Sequence, residues 1–255
     1  MKAIQSMLPQ LKSLRLSGIL DTLPVRNQQA VEQKLSYYEF LALVLTDEHE
    51  RRDNKKLQQR MRKANFTGQR TLETFRFDTP GLKINQSQIF DLATCLFVDE
   101  KVNALIVGPT GVGKSHLAEA IGHKACLRGL DVLSCPFHKL MGQLRAARAD
   151  GTYERKLTSL LRPDLLILDD FGLKPLQSPA DEDFHDLVSE RYQRGAIVLT
   201  SNLDFCEWGA VFPNHVLAAA TIDRLRDQAH RVVIEGESFR RPKATPDDTK
   251  RPKRN

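Results

Sequence analysis

The segment Gly108-Pro109-Thr110-Gly111-Val112-Gly113-Lys114-Ser115 limits this chain's architecture more than any other, because its residue order suits one kind of junction. The apolar run Ala104-Leu105-Ile106-Val107 precedes it and reads as a buried strand; a helical pattern follows from Lys114 to about Arg128, where Gly129 stops it. A glycine-rich loop at such a junction turns backbone N–H groups inward at the positive end of the helix dipole, which makes an anion cradle. The full G-x-x-x-x-G-K-[ST] order adds a lysine for the β and γ phosphates of ATP and a hydroxyl for Mg²⁺. Lys114 and Ser115 take those roles, and the binding segment is drawn to include His116. A chance glycine loop is the competing reading, and the flanking strand and helix argue against it.

A strand–loop–helix unit of this kind needs a parallel sheet, and residues 69–239 supply one. Further apolar runs lie at Val132–Ser134, Leu165–Leu168, Ile197–Thr200 and Arg231–Glu235. Helical stretches separate them at about 137–149, 152–161, Ser178-Pro179 to Arg194 with Gly195 as the stop, and Val216 to Asp227. Strands too apolar for one exposed face, joined by helices, give an α/β core with five parallel strands covered on both sides. A connector over 69–100 carries Phe75, Phe77, Phe90 and Phe97, expected to pack rather than to stack on bases.

Leu165-Leu166-Ile167-Leu168-Asp169-Asp170 places two acids at the C-terminal end of a buried strand, where open α/β sheets bind ligands. Asp169 is expected to hold Mg²⁺ and Asp170 to orient or deprotonate the attacking water. Ordinary solvated acids are the alternative. Thr200-Ser201-Asn202 ends the next strand, and the Asn202 amide suits a γ phosphate or the lytic water, or else a plain turn. Arg224, in Asp223-Arg224-Leu225-Arg226, is a candidate arginine finger for a neighbouring subunit's nucleotide; by spacing alone a surface ion pair with Asp223 or Asp227 fits better.

Residues 1–68 read as a separate helical region. Leu8, Leu11, Leu14, Leu16, Ile19 and Leu20 give an amphipathic start that Gly18 interrupts, and Ser36-Tyr37-Tyr38-Glu39 forms a capping box opening a long helix that ends before Gly68. On its second half Arg52, Lys55, Lys56, Arg60 and Lys63 share one broad face and Leu57, Met61 and Ala64 the opposite one. The net charge of +6 collects around Arg51–Lys63 and after Phe239. Clustered cations suit a polyanion such as double-stranded DNA, or form a solvated helix face. Residues 240–255, rich in basic residues and proline, are expected to be disordered. No apolar run approaches the roughly 20 residues that cross a membrane, and the N-terminus has no secretory pattern, so a cytoplasmic protein is expected. Cys95, Cys126, Cys135 and Cys206 form no C-x-x-C pair, which argues against zinc.

Taken in order, GPTGVGKSHLAEAIG, LLILDDFG, ERYQRGAIVLTSN, the following Trp208 and DRLRDQAHRVVIEGESFR closely resemble the IstB family, AAA+ helper ATPases of insertion-sequence transposition that are similar in turn to bacterial helicase loaders. The resemblance covers nearly the whole chain. It implies an AAA+ core, ATP-driven homo-oligomerisation on DNA and recruitment of a transposase; little DNA sequence preference is expected, because the chain shows no base-reading motif such as a zinc finger. The resemblance also implies Walker A roles for Lys114 and Ser115, Walker B roles for Asp169 and Asp170, a sensor 1 role for Asn202 and a finger role for Arg224. The sequence departs from the wider AAA+ pattern in three ways: Asp170 stands where Glu is usual, no C-terminal lid domain is left to carry a sensor 2 arginine (Arg240 is a weak candidate), and Ala220 stands where loaders have a second arginine. A loader that delivers a replicative helicase, or a stand-alone P-loop kinase, are the competing functions; the second lacks an acceptor-binding lid.

Overall fold

The computed structural model describes residues 2–239, with side chains from Ser6 onward, in two compact units; the chain passes from the first to the second at Arg62–Lys63. The basic stretch 240–255, Arg240 included, lies outside the described residues.

The first unit is helical: α1 (Lys2–Ser13), α2 (Ser17–Gln33) and most of α3 (Tyr37–Ala64). The break between α1 and α2 falls at Leu14–Leu16, with Arg15 at φ 57°, rather than at Gly18, which lies in the first turn of α2. That turn is held by Glu48, whose carboxylate accepts from the amides of Gly18 (2.6 Å) and Ile19 (3.4 Å), satisfying two N–H groups that a helix start leaves open. The capping box forms as read: Glu39 accepts from the Ser36 amide at 2.7 Å, and Ser36 Oγ accepts from the Glu39 amide at 3.3 Å. Ile19, Leu23 and Val44 form a small core.

The second unit is an α/β core. After a 3₁₀ turn (Leu72–Thr74) come α4 (Gln86–Ala93), α5 (Leu96–Asp99), β1 (Ala104–Val107), α6 (Lys114–Leu127), β2 (Val132–Pro136), α7 (Phe137–Ala149), α8 (Tyr153–Leu161), β3 (Leu165–Phe171), α9 (Ala180–Arg191), β4 (Ala196–Ser201), a second 3₁₀ turn (Trp208–Val211), α10 (His215–Arg226) and β5 (His230–Val233). The strands form one parallel sheet in the order β2-β3-β4-β1-β5. Every residue of β1 and β4 is buried, as a sheet covered on both faces requires. Among the described residues no helix follows β5.

Several boundaries differ from the sequence reading. Helix α9 ends at Arg191, and its first turn is capped by no Ser178 side chain. Gly195 is not a helix stop: a Cβ there would lie 2.6 Å from the Arg191 guanidinium, so the glycine makes room for a buried arginine. Strand β3 runs three residues past Leu168, and its extra length carries the two acids.

Candidate nucleotide-binding site

Val107 of β1 stands in register with Ser201 of β4, so the loops that follow these strands leave the sheet side by side. The Gly108 amide donates to Ser201 O at 3.3 Å. Gly113 caps α6 with φ 97°, and a Cβ there would lie 2.6 Å from Phe75 Cε2; glycine alone meets both conditions without strain. Val112 is wholly buried and anchors the loop. Lys114 is buried too, and its ammonium donates to Gly108 O (2.8 Å), Pro109 O (2.7 Å) and Asn202 Oδ1 (2.6 Å). The P-loop lysine and the amide at the end of β4, 88 residues apart, are therefore in direct contact.

The acids sit in an irregular stretch of β3. Leu168 pairs with Leu199 and Phe171 with Ser201, so three steps on β3 match two on β4. One extra residue is inserted, a β-bulge, a device that re-aims side chains beside sites. Asp170 takes up the irregularity with φ 62°. Thr200 locks it: its hydroxyl accepts from the Asp170 amide at 3.0 Å and donates to Asp169 Oδ1 at 2.5 Å. Beyond the bulge Phe171 is held in an aromatic cluster, 5.0 Å from Phe137 and 5.1 Å from Trp208.

These elements enclose a cavity of about 390 Å³. Thr110, Gly111, Gly113, Lys114, Ser115, His116, Asp170 and Asn202 line it, together with Arg70, Leu173 and Phe239. Gly108, Pro109, Val112 and Asp169 support the wall without lining it. Arg224 does not line it either: it is half-buried on α10 and donates to Ala220 O at 2.9 Å. His116 turns its ring away toward the preceding segment, where Nε2 lies 2.9 Å from Thr71 O. Thr200 bonds to the acids and Arg70 lines the cavity, although the sequence reading assigns neither a role. Thr200 is 30 residues from its partner Asp170, and no local pattern signals such a contact.

The residues suit ATP and Mg²⁺. The loop's backbone carries no Cβ at Gly108, Gly111 and Gly113, and Ser115 and Asp169 are hard oxygen donors. Among the described residues no group of three or more His, Cys, Asp or Glu could hold a metal by itself. Ser115 and Asp169 are the kind of oxygen pair Mg²⁺ accepts, since it takes few protein oxygens and keeps water and substrate phosphates.

On α3, Arg52, Lys55, Lys56 and Lys63 are exposed and Arg60 is half-buried. Arg52 Nε pairs with Glu48 at 2.6 Å and Lys56 Nζ with Asp53 at 3.2 Å. No helix among the described residues is long and apolar enough to cross a membrane.

The IstB-like ATP binding protein family matches residues 9–245. The chain is 36% identical to an ATP-binding protein of insertion sequence IS21 from Pseudomonas aeruginosa over 241 residues, 94% of this chain and 89% of that one. It is 35% identical to an insertion-sequence ATP-binding protein of Mycobacterium tuberculosis over 240 residues, 94% of this chain and 95% of that one. The crystal structure of the DnaC helicase loader superposes with a TM-score of 0.54 at 20% identity, over 65% of this chain and 96% of that chain, a likeness of fold.

Proposed function

The chain belongs to the family of IstB-like ATP-binding proteins, and from that membership we propose that it is a cytoplasmic AAA+ ATPase that prepares target DNA for insertion-sequence transposition. The observation that carries the reading is the convergence of the P-loop backbone, Lys114, Ser115, Asp170 and Asn202 on one cavity.

In this reading the loop amides and Lys114 bind the ATP phosphates, and Asn202, already in contact with Lys114, faces the γ phosphate. Ser115 and Asp169 would hold Mg²⁺, which supplies neutralisation of charge on the phosphate oxygens. Asp170 orients the lytic water and takes its proton. Its carboxylate is one methylene shorter than the usual Glu, which suits slow turnover. Arg224 lies outside its own subunit's cavity and completes the site of the next subunit, so that nucleotide controls assembly. Residues 1–68, with Arg52, Lys55, Lys56, Arg60 and Lys63, form a DNA- and partner-binding domain, 69–239 the ATPase domain and 240–255 a basic tail. Phosphate contacts along the backbone need no base-specific partner, and the assembled protein recruits the transposase.

The test is light scattering of the protein on a DNA duplex several helical turns long, with and without ATP and Mg²⁺. ATP-dependent assemblies on DNA are the expected result; a monomer indifferent to both ligands refutes the reading. Selective capture of a replicative helicase rather than the transposase would point to a loader.

A further inference from the structure

We propose that Arg70 is a nucleotide-binding residue whose guanidinium contacts the phosphate chain of the molecule held by the P-loop. This rests on the ATP-binding reading above and adds a residue from the connector, a segment that motif reading assigns to packing alone.

Arg70 lines the same cavity as Thr110, Lys114 and Ser115. It lies in an irregular stretch just before the 3₁₀ turn, so its position must be fixed by contacts rather than by regular structure. Those contacts run along α6. Glu119, buried on that helix, accepts from the Thr67 amide at 3.1 Å and from Thr67 Oγ1 at 2.6 Å. His116 meets Thr71, and Lys124 pairs with Glu73 at 2.7 Å. The segment is thus fastened to the helix whose N-terminus forms the cradle, which holds Arg70 beside the P-loop.

Glu119 also explains why the residue is an arginine. A buried carboxylate is costly unless it is paired. Arg70 Nη1 stands 3.5 Å from Glu119 Oε1, while Oε2 accepts no hydrogen bond among the described residues. One edge of the guanidinium faces Glu119. With five N–H donors in a rigid fork, the group keeps further donors for a second anion, and the side chain is about one-third exposed toward the cavity. A triphosphate stays negative even with one divalent cation bound. Lys114 offers it one positive charge; Arg70 offers another, in a geometry that matches two phosphate oxygens. Glu119 is the positioning residue in this arrangement.

The test is equilibrium binding of a fluorescent ATP analogue, and of its monophosphate counterpart, to the full chain. Arg70→Ala should weaken the triphosphate analogue by about tenfold or more, the range of one charge-assisted hydrogen bond. It should weaken the monophosphate much less, and Arg70→Lys should recover part of the loss. Glu119→Gln should shift affinity in the same direction by a smaller factor. Should Arg70→Ala fail to fold, Arg70→Gln and Arg70→Lys carry the same comparison. Unchanged triphosphate affinity, or an equal loss for both analogues, overturns the proposal while leaving ATP binding intact. A folded wild-type chain that binds neither analogue overturns the ATP-binding reading and Arg70 with it.

Discussion

Thr200 bonds to the Asp170 amide and to the Asp169 carboxylate through one oxygen, so a single hydroxyl sets the relation between the two acids of β3. Replacing it with valine keeps the shape and removes both bonds. We expect Thr200→Val to lower ATP turnover by about 10- to 100-fold with ATP affinity changed by less than about threefold, the signature of an interaction that positions reacting groups. Steady-state kinetics beside direct binding decides it; a large loss of affinity at unchanged turnover would assign Thr200 to ground-state binding instead. Arg191 acts on folding alone. It is almost wholly buried and donates to four carbonyls: Leu160 (2.9 Å), Pro163 (3.0 Å), Asp164 (3.2 Å) and Ala196 (2.8 Å). Burial lowers its pKa to about 10, yet it stays charged at neutral pH. It ties the end of α8 to the starts of β3 and β4. Arg191→Met should cost about 2–5 kcal/mol in denaturant unfolding, because several buried carbonyls are deprived of their donor at once. A cost under about 1 kcal/mol would show that water replaces the guanidinium there.

Among the elements, α2 and α3 are joined by acids rather than by a large apolar core. Arg26 forms a two-pronged pair with Asp47, 2.8 Å from Oδ2 and 2.7 Å from Oδ1. Hydrogen bonds from Arg26 and Thr22 hold the buried Asp47 carboxyl down at about 2. Its value in the unfolded chain is near 3.9, so its stabilising effect is full above that value and fades as pH falls from about 4 through about 2. The protection factors of α2 amides, corrected for intrinsic exchange, should therefore fall in that window. In Asp47→Asn this acid-side step should disappear; an unchanged step would place the sensitivity on another carboxylate. The start of α3 is legible in the sequence because its cap is local, Ser36 with Glu39. The bulge in β3 is not. Leu165–Leu168 reads as a complete apolar strand, and only pairing with β4 shows that it continues through Asp169 and Asp170 to Phe171.

For the whole molecule, the proposed function separates nucleotide binding from assembly. Arg224→Ala should leave binding of the ATP analogue within about twofold and abolish ATP-dependent assembly on DNA, with hydrolysis falling by about 10³-fold, the lower range of finger removal. Loss of nucleotide binding itself would rule out a role in the neighbour's site. Charge reversal at Lys55, Lys56 and Arg60 should weaken DNA binding on every sequence and flatten its dependence on salt, since each phosphate left unneutralised lowers the slope by about one unit. Weakening confined to one DNA sequence would mean that α3 reads bases.

The sequence by itself determined the parallel sheet, the P-loop, the two acids and the family. Each depends on contiguous residues: an apolar run fixes a buried strand, and loop chemistry fixes an anion cradle whatever the rest of the chain does. Tertiary structure alone decided which distant groups meet within the site. Thr200 reaches the acids because β4 lies beside β3, and Asn202 reaches Lys114 because β4 lies beside β1. Arg70 reaches the cavity because Glu119 holds it against α6. Strand order and the packing of a connector on a helix are set by the burial of the entire core, a property no short window of residues contains.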